Sequence, residues 1–317
     1  MSRRALITGV AGFIGSNLAT DLVKRGWTVS GVDDMSAGRR DFVPKEVKGG
    51  YLLEADFADE QVLDAIQMGE FDVVFHLAAQ PRVSYSVEHP LETHDTNVNK
   101  TLKLIDACKG GNVERFVFAS SAAVYGDGDW IPTVECAAKK PASPYALHKS
   151  VVEDYLKLYG SLYNFDSVTL RFFNVYGPNQ LGNSPYSTAV SSWLTAIKEG
   201  RPMRSDGDGT QTRDMVHVQD VCSALHRAGT YIANLGGEVF NVGTGKAYSN
   251  NEIQQRLLKR YPGASVVHAP VRPGDVKHTL ASINKIASHL GWHPAVDFWD
   301  GLEATATWYD ENWEKLK

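Results

Sequence analysis

Ala5-Leu-Ile-Thr-Gly-Val-Ala-Gly-Phe-Ile-Gly15 is the stretch that decides the fold: an apolar run leads directly into glycines at every third position, Gly9, Gly12 and Gly15. Glycines between a strand and a helix let the chain turn sharply and let backbone approach a pyrophosphate, whose charge meets unpaired amides at the helix N-terminus. The spacing is one residue longer than G-x-G-x-x-G, and alone it is a weak signal. Its surroundings strengthen it. Residues 4 to 8 read as a strand, and Ser16 to Arg25 carry Leu18, Leu22 and Val23 on one helical face before Gly26 stops the helix. Thr28 to Val32 reads as a second strand and ends in Asp33-Asp34. A carboxylate about 20 residues past the loop can accept hydrogen bonds from adenosine ribose hydroxyls and repels a 2′-phosphate. The expected dinucleotide is therefore NAD rather than NADP, although Arg39 and Arg40 follow closely as cations able to hold a phosphate.

The alternation continues. Strands are expected at 51–55, 72–77, 115–119 and 167–172, and helices at 60–68, 97–108 and 144–163. This rhythm predicts an α/β fold, a Rossmann-type doubly wound parallel sheet with helices on both faces and ligands at the carboxyl ends of the strands. Gly9, Asp33, Asp56, Ala78-Ala79-Gln80, Ser120-Ser121 and Asn174 each follow an expected strand. Beyond Gly177 come loops rich in Gly, Pro and Asn, with helices near 186–199 and 217–235. The expected division is a dinucleotide-binding domain over 1–177 and a smaller mixed α/β substrate-binding domain over 178–317, with 239–245 able to return a strand to the first.

Composition excludes several classes. A net charge of -5 gives no reason to invoke nucleic acid or an anionic membrane surface. No window approaches the roughly 20 apolar residues that span a bilayer, and the N-terminal apolar stretch is too short for a signal peptide. Cys108, Cys136 and Cys222 are far apart, and the histidines lack metal-binding spacing, so a reducing cytoplasm and no metal site are expected.

The second informative cluster is Tyr145-Ala-Leu-His-Lys149, downstream of Ser120-Ser121. A phenol has an unperturbed pKa near 10, and moving it to about 7 takes about 4 kcal/mol. Lys149, one helical turn beyond Tyr145, can place an ammonium near the phenol and favour the phenolate. Ser121 can donate or relay a hydrogen bond to the same substrate oxygen. Together with the glycine loop and Asp33, the cluster reads as a proton-transfer site beside a dinucleotide.

The chain resembles the extended short-chain dehydrogenase/reductases, in particular their nucleotide-sugar epimerase and dehydratase branch, over essentially its whole length. The resemblance rests on Thr8-Gly-Val-Ala-Gly-Phe-Ile-Gly15, Val32-Asp-Asp34, His76-Leu-Ala-Ala-Gln80, Asn97-Val98, Ser120 to Gly126, and Tyr145 to Lys149. It extends through Arg171-Phe-Phe-Asn-Val-Tyr-Gly-Pro178, Arg213 to Asp220, Phe240-Asn-Val-Gly-Thr244 and Arg272-Pro-Gly-Asp275. It implies NAD as cofactor, with Gly9, Gly12, Phe13, Ile14 and Gly15 at the pyrophosphate. Asp33, followed by Asp34, would meet the ribose, and Asp56 and Phe57 the adenine edge. Leu77, Ala78, Ala79 and Gln80 would line the path to the nicotinamide, beside Tyr145 and Lys149. Asn97 would brace adjacent strands or cofactor. For the substrate it implies Asn174, Arg213 and Arg272 at the diphosphate, Asp275 at the nucleoside ribose, and Val83, Ser86, Val190 and Thr279 around the sugar. It also implies a homodimer pairing through the helices at 97–108 and 144–163.

Within this branch, the residues after Ser121 discriminate between reactions. Dehydratases of the family carry an acidic pair there and decarboxylases a glutamate at the second position; this chain has Ala122 and Ala123. The resemblance therefore favours a UDP-sugar 4-epimerase, in which Tyr145 takes the C4 hydroxyl proton. Many close 4-epimerases carry Thr or Ser at the position of Ala123. Thr279 stands where galactose-type epimerases that exclude N-acetyl groups carry an aromatic, and Leu181 where a glucuronate enzyme would want a cation. UDP-glucose/UDP-galactose and their N-acetyl forms rank above UDP-glucuronate. A reductase or synthase on the same scaffold and a non-catalytic NAD-binding sensor are the alternatives.

Overall fold

In the computed structural model, residues 2–48, 51–128, 131–183, 187–271 and 276–316 are described. Seven parallel strands form the central sheet: β1 (Arg4–Thr8), β2 (Thr28–Asp33), β3 (Leu52–Glu54), β4 (Val73–His76), β5 (Arg115–Ser121), β6 (Ser167–Phe172) and, after three strands outside the sheet, β10 (Glu238–Val242). Their spatial order is β10-β6-β5-β4-β1-β2-β3. The first three strands run outward from β1 on one side, and β4, β5, β6 and β10 run outward on the other. The direction of winding thus reverses between β1 and β4, and the carboxyl ends of those two strands bound the crevice where such sheets take ligands. Helices cover both faces, which is why β4 and β6 are buried along their whole length.

The chain leaves this sheet at β7 (Asn174–Tyr176). β7 joins β9 (Thr212–His217) and β11 (Ala247–Ser249) in a three-stranded sheet, while β8 (Met203–Asp206) pairs with β12 (Val266–Ala269). An apolar cluster that includes Tyr176, Val190, Trp193, Met215, Phe298 and Tyr309 holds these strands to the C-terminal helix Phe298–Leu316. The seventh strand of the main sheet comes from residues 238–242, beyond residue 177, where it lies parallel to β6. Buried Arg115 fastens that return: its guanidinium donates to the carbonyls of Ala228 and Ala233 at 2.8 Å and pairs with Asp166 at 2.6 Å.

Buried charged groups in the interior, Arg171, Glu153 and Asp214, are matched in detail. Arg171 on β6 meets Glu153 of the helix Pro144–Tyr163 through two hydrogen bonds, 2.9 and 2.6 Å, with both side chains almost fully buried at 4% and 2% exposure. The same Glu153 accepts from Ser120 at the end of β5, and Arg171 also donates to the Tyr125 hydroxyl at 2.7 Å. Asp214 on β9 accepts from the backbone amides of Thr244, Gly245 and Ala281 and from the Thr244 hydroxyl, tying β9 to two loops.

Removing one member of a buried pair strands the other charge, so Arg171→Met should cost about 3 to 5 kcal/mol of unfolding free energy. Arg25→Ala, which breaks an exposed pair with Asp21, should cost no more than about 1 kcal/mol. Urea denaturation of the two variants checks the contrast; equal losses would refute it.

Candidate active site

The turn after β1 is shaped by how near two backbones come. Gly9 adopts φ +72°, and a Cβ there would stand 2.9 Å from the amide nitrogen of Ala78, at the end of β4; one on Gly15 would stand 2.0 Å from the Gly9 carbonyl oxygen. Only glycine permits both the left-handed turn and these approaches. Gly12 then caps the helix Phe13–Lys24 without a side-chain hydrogen bond, so the first-turn amides of Phe13, Ile14 and Gly15 face out at the positive end of the helix dipole.

In front of this turn lies a cleft of about 330 Å³ lined by Gly9, Gly12, Asp33, Asp34, Asp56, Phe57, Ala78, Ala79 and Gln80. All nine were expected from the sequence to face the dinucleotide. Asp33 is held from both oxygens, with Oδ2 accepting from the Ala11 amide and Oδ1 from the Met35 amide, each at 2.9 Å. Burial raises its pKa and these amides act against the rise. Asp34 accepts from the amide and hydroxyl of Ser36. Asn97 clasps Gln80, accepting from its amide at 2.8 Å and donating to its carbonyl at 2.9 Å. The brace therefore acts on the loop after β4. Leu77 packs against the apolar core behind the loop.

The cleft fits NAD. Its glycine turn and free helix amides would hold the pyrophosphate, and Asp33 would accept from the ribose hydroxyls. Arg39 and Arg40, which could have held a 2′-phosphate, are engaged elsewhere: Arg40 pairs with Glu54 at 2.6 Å, and Arg39 donates to the carbonyl of Lys315 at 3.0 Å.

Sequence reasoning missed further lining residues, among them Ser36, Ala37, Gly38, Glu92, Asp95 and Lys100. Gly38 had a signal in principle, because a Cβ there would meet the Asp33 carboxylate at 2.9 Å. The others sit on a bend after β2 or on short helical segments whose approach to the cleft no local spacing announces.

The proton-transfer cluster is carried by β5 and the helix Pro144–Tyr163, which starts with Ser143 as N-cap and Pro144 in its first turn. Tyr145, Lys149 and Glu153 follow at intervals of four and so share one face. Fully buried Ser86 holds the start of that face by accepting from the Tyr145 amide at 3.1 Å. Burial pushes the Tyr145 phenol up to about 12, and the Ser121 hydroxyl acts against the rise. Burial pushes the Lys149 ammonium down to about 7, opposed by the Glu153 carboxylate.

The ammonium that the sequence reading expects near the phenol has a backbone partner of its own. Lys149 Nζ lies 6.0 Å from the Tyr145 ring centre and donates to the carbonyl of Ala119 at 2.7 Å. The reason is that a buried ammonium takes the nearest acceptor, here a strand carbonyl.

The expected substrate residues are more dispersed. Asn174 opens β7 half-buried, and Val83 begins a short helix, 47% exposed. Arg213 on β9 donates to the carbonyls of Thr212 and Lys277. Thr279 accepts from the Asp214 amide at 3.2 Å, so its hydroxyl fastens β9. Val190 corrects its expectation: it is fully buried in the apolar cluster against the C-terminal helix and presents no surface to a ligand. Arg272 and Asp275 lie outside the described residues.

Residues 5–243 match the model of the NAD dependent epimerase/dehydratase family. The chain belongs to that family. NAD is its cofactor, as the cleft indicates. A UDP-glucose 4-epimerase of Mycolicibacterium smegmatis is 36% identical over 313 residues, 96% of this chain and 98% of its own length. Among solved structures, the UDP-N-acetylglucosamine 4-epimerase of Methanobrevibacter ruminantium in complex with UDP-N-acetylmuramic acid is similar with TM-score 0.92 and 33% identity, covering 98% of this chain and 99% of that one. The Thermus thermophilus UDP-glucose 4-epimerase in complex with NAD follows with TM-score 0.86 and 34% identity, covering 97% and 99%. The matched region thus spans the central sheet, including the strand returned by residues 238–242.

The buried lysine gives a pH test. Its folded pKa of about 7 lies below the ordinary 10.5, so between those values the unfolded chain binds a proton that the folded chain does not, and stability rises with pH. Lys149→Met removes this contribution. Denaturant titrations between about pH 7 and pH 10 should show the wild type gaining on the variant as pH rises; parallel curves would overturn the assignment.

Proposed function

We propose that the protein is a UDP-sugar 4-epimerase that inverts C4 of a hexose of the glucose/galactose or N-acetylglucosamine/N-acetylgalactosamine type. The observation that carries this reading is the carboxylate-free turn Ala122–Tyr125 that follows Ser121, in which Ser121 accepts from the Ala123 amide at 3.1 Å. A carboxyl group beside the reacting carbons is what expulsion of a hydroxyl would need as acid. Ala122 and Ala123 supply none. The named activities of the relatives in Mycolicibacterium smegmatis and Thermus thermophilus support the same reaction class.

In this reading Tyr145 accepts the C4 hydroxyl proton and returns it, so that it needs its phenolate form. Ser121, which acts to lower the phenol's pKa, orients it and shares a hydrogen bond with the same sugar oxygen. Lys149 contributes positive charge to the pocket from its seat on the Ala119 carbonyl. Bound NAD would supply the reversible two-electron oxidation at C4. Inversion then requires the 4-keto sugar to turn over while its diphosphate stays held, a task that falls to Asn174, Arg213 and Arg272. Guanidinium forks suit phosphate oxygens.

A homodimer belongs to this proposal. The helix Pro144–Tyr163 exposes Leu147, Leu158, Leu162 and Tyr163, each at about half its surface or more, apolar surface of the kind an interface would cover.

Two measurements test the proposal. Protein incubated with UDP-glucose, UDP-galactose, their N-acetylamino counterparts or UDP-glucuronate should interconvert a C4 pair of the first two classes without net NADH formation; conversion of UDP-glucuronate alone would replace the sugar assignment. Tyr145→Phe should lower turnover by about 10²- to 10⁴-fold, the usual worth of a positioned base, with KM near the wild-type value. Nearly full activity in that variant would remove Tyr145 from the mechanism.

A further inference from the structure

Among the described residues lining the cofactor cleft are five carboxylates, Asp33, Asp34, Asp56, Glu92 and Asp95, and one cation, Lys100. A dinucleotide brings a diphosphate into this acidic surround, so the position of the cation matters. Lys100 ends a π-helical turn, Asp95–Lys100, the kind of widened turn that recurs at functional sites. Within it Asn97 clasps Gln80 at the end of β4, and Lys100 reaches the other wall, where its Nζ donates to Asp56 Oδ2 at 2.6 Å. Asp56 lies just beyond β3, and its second oxygen accepts from the Ala58 amide at 2.9 Å. The pair is about two-thirds shielded from solvent, with side-chain exposures of 31% and 28%. The hydrogen bond with Asp56 raises the ammonium's pKa, with Asp95 and Asp34 adding to the effect.

We propose that Lys100 is a cofactor-retaining residue: its ion pair with Asp56 latches the two walls of the cleft at the adenosine end, and its charge offsets part of the carboxylate field that the NAD diphosphate enters. The latch rests on the assignment of this cleft to NAD. It acts on the release of the dinucleotide, because NAD cannot leave from behind paired walls until they separate.

The test uses purified protein loaded with labelled NAD and chased with unlabelled NAD. Lys100→Met and Lys100→Gln should release label about fivefold faster and bind NAD correspondingly more weakly, the order of a half-shielded charge pair. Lys100→Arg should stay close to wild type. Lys24→Met, which removes the same net charge on an exposed helix end, should release at the wild-type rate. The difference should shrink at about 1 M salt, where screening reaches within about 3 Å. Asp33→Ala separates the two layers of the reading. Weakened NAD binding in Asp33→Ala with wild-type release in both Lys100 variants overturns the latch alone. Unchanged binding in all of them overturns the cleft assignment and the latch with it.

Discussion

The carboxylate of Glu153 holds together the two elements on which the reaction residues stand and the neighbouring strand β6. Its oxygens accept from Ser120 on β5 and from two nitrogens of Arg171 on β6, while the residue itself belongs to the helix that carries Tyr145 and Lys149. A charge this deeply buried is stable only if paired and fully hydrogen-bonded. The need to satisfy it therefore fixes the spacing of helix and strands. Ser121 follows Ser120 directly, so the bond that orders β5 also sets where Ser121 stands. The preference of a buried ammonium for a backbone carbonyl seats Lys149 on Ala119.

The cofactor cleft depends on a different constraint, the closeness of β1 and β4. Where Gly9 meets Ala78 there is no space for a Cβ, and this contact brings the glycine turn, the helix amides and the loop Ala78-Ala79-Gln80 into one concave surface. Acidic residues at the ends of β2 and β3 complete its far wall. Positive dipole at one end and carboxylates at the other give the site a polarity that matches a dinucleotide lengthwise, diphosphate to amides and ribose to Asp33. The Lys100–Asp56 pair spans this surface between its walls.

Much of this was legible before any coordinates. The helix at 144–163 and the strand at 167–172 fall where the sequence reading put them, because long periodic segments declare themselves locally. The nine cleft residues named from the sequence line one cavity, since each follows a strand and strand ends converge in a doubly wound sheet. Val190 failed because a valine in the first turn of an amphipathic helix reads the same whether it faces a ligand or a core. The short helices between 83 and 94 and the π-turn after them lack the length for periodicity to emerge.

The sequence by itself determined the order of strands and helices, the glycine turn, the acidic end of β2 and the four-residue interval from Tyr145 to Lys149, because these depend on neighbours a few positions apart. Tertiary structure alone decided which polar groups pair. Ser86 meets the amide of Tyr145 across 59 residues, Asp56 meets Lys100 across 44, and Thr8 meets buried His76 across 68. Such pairings follow from the desolvation cost of leaving any of these groups unmatched once the sheet has closed around them. That cost exists only in the folded interior, and no local pattern in the chain records it.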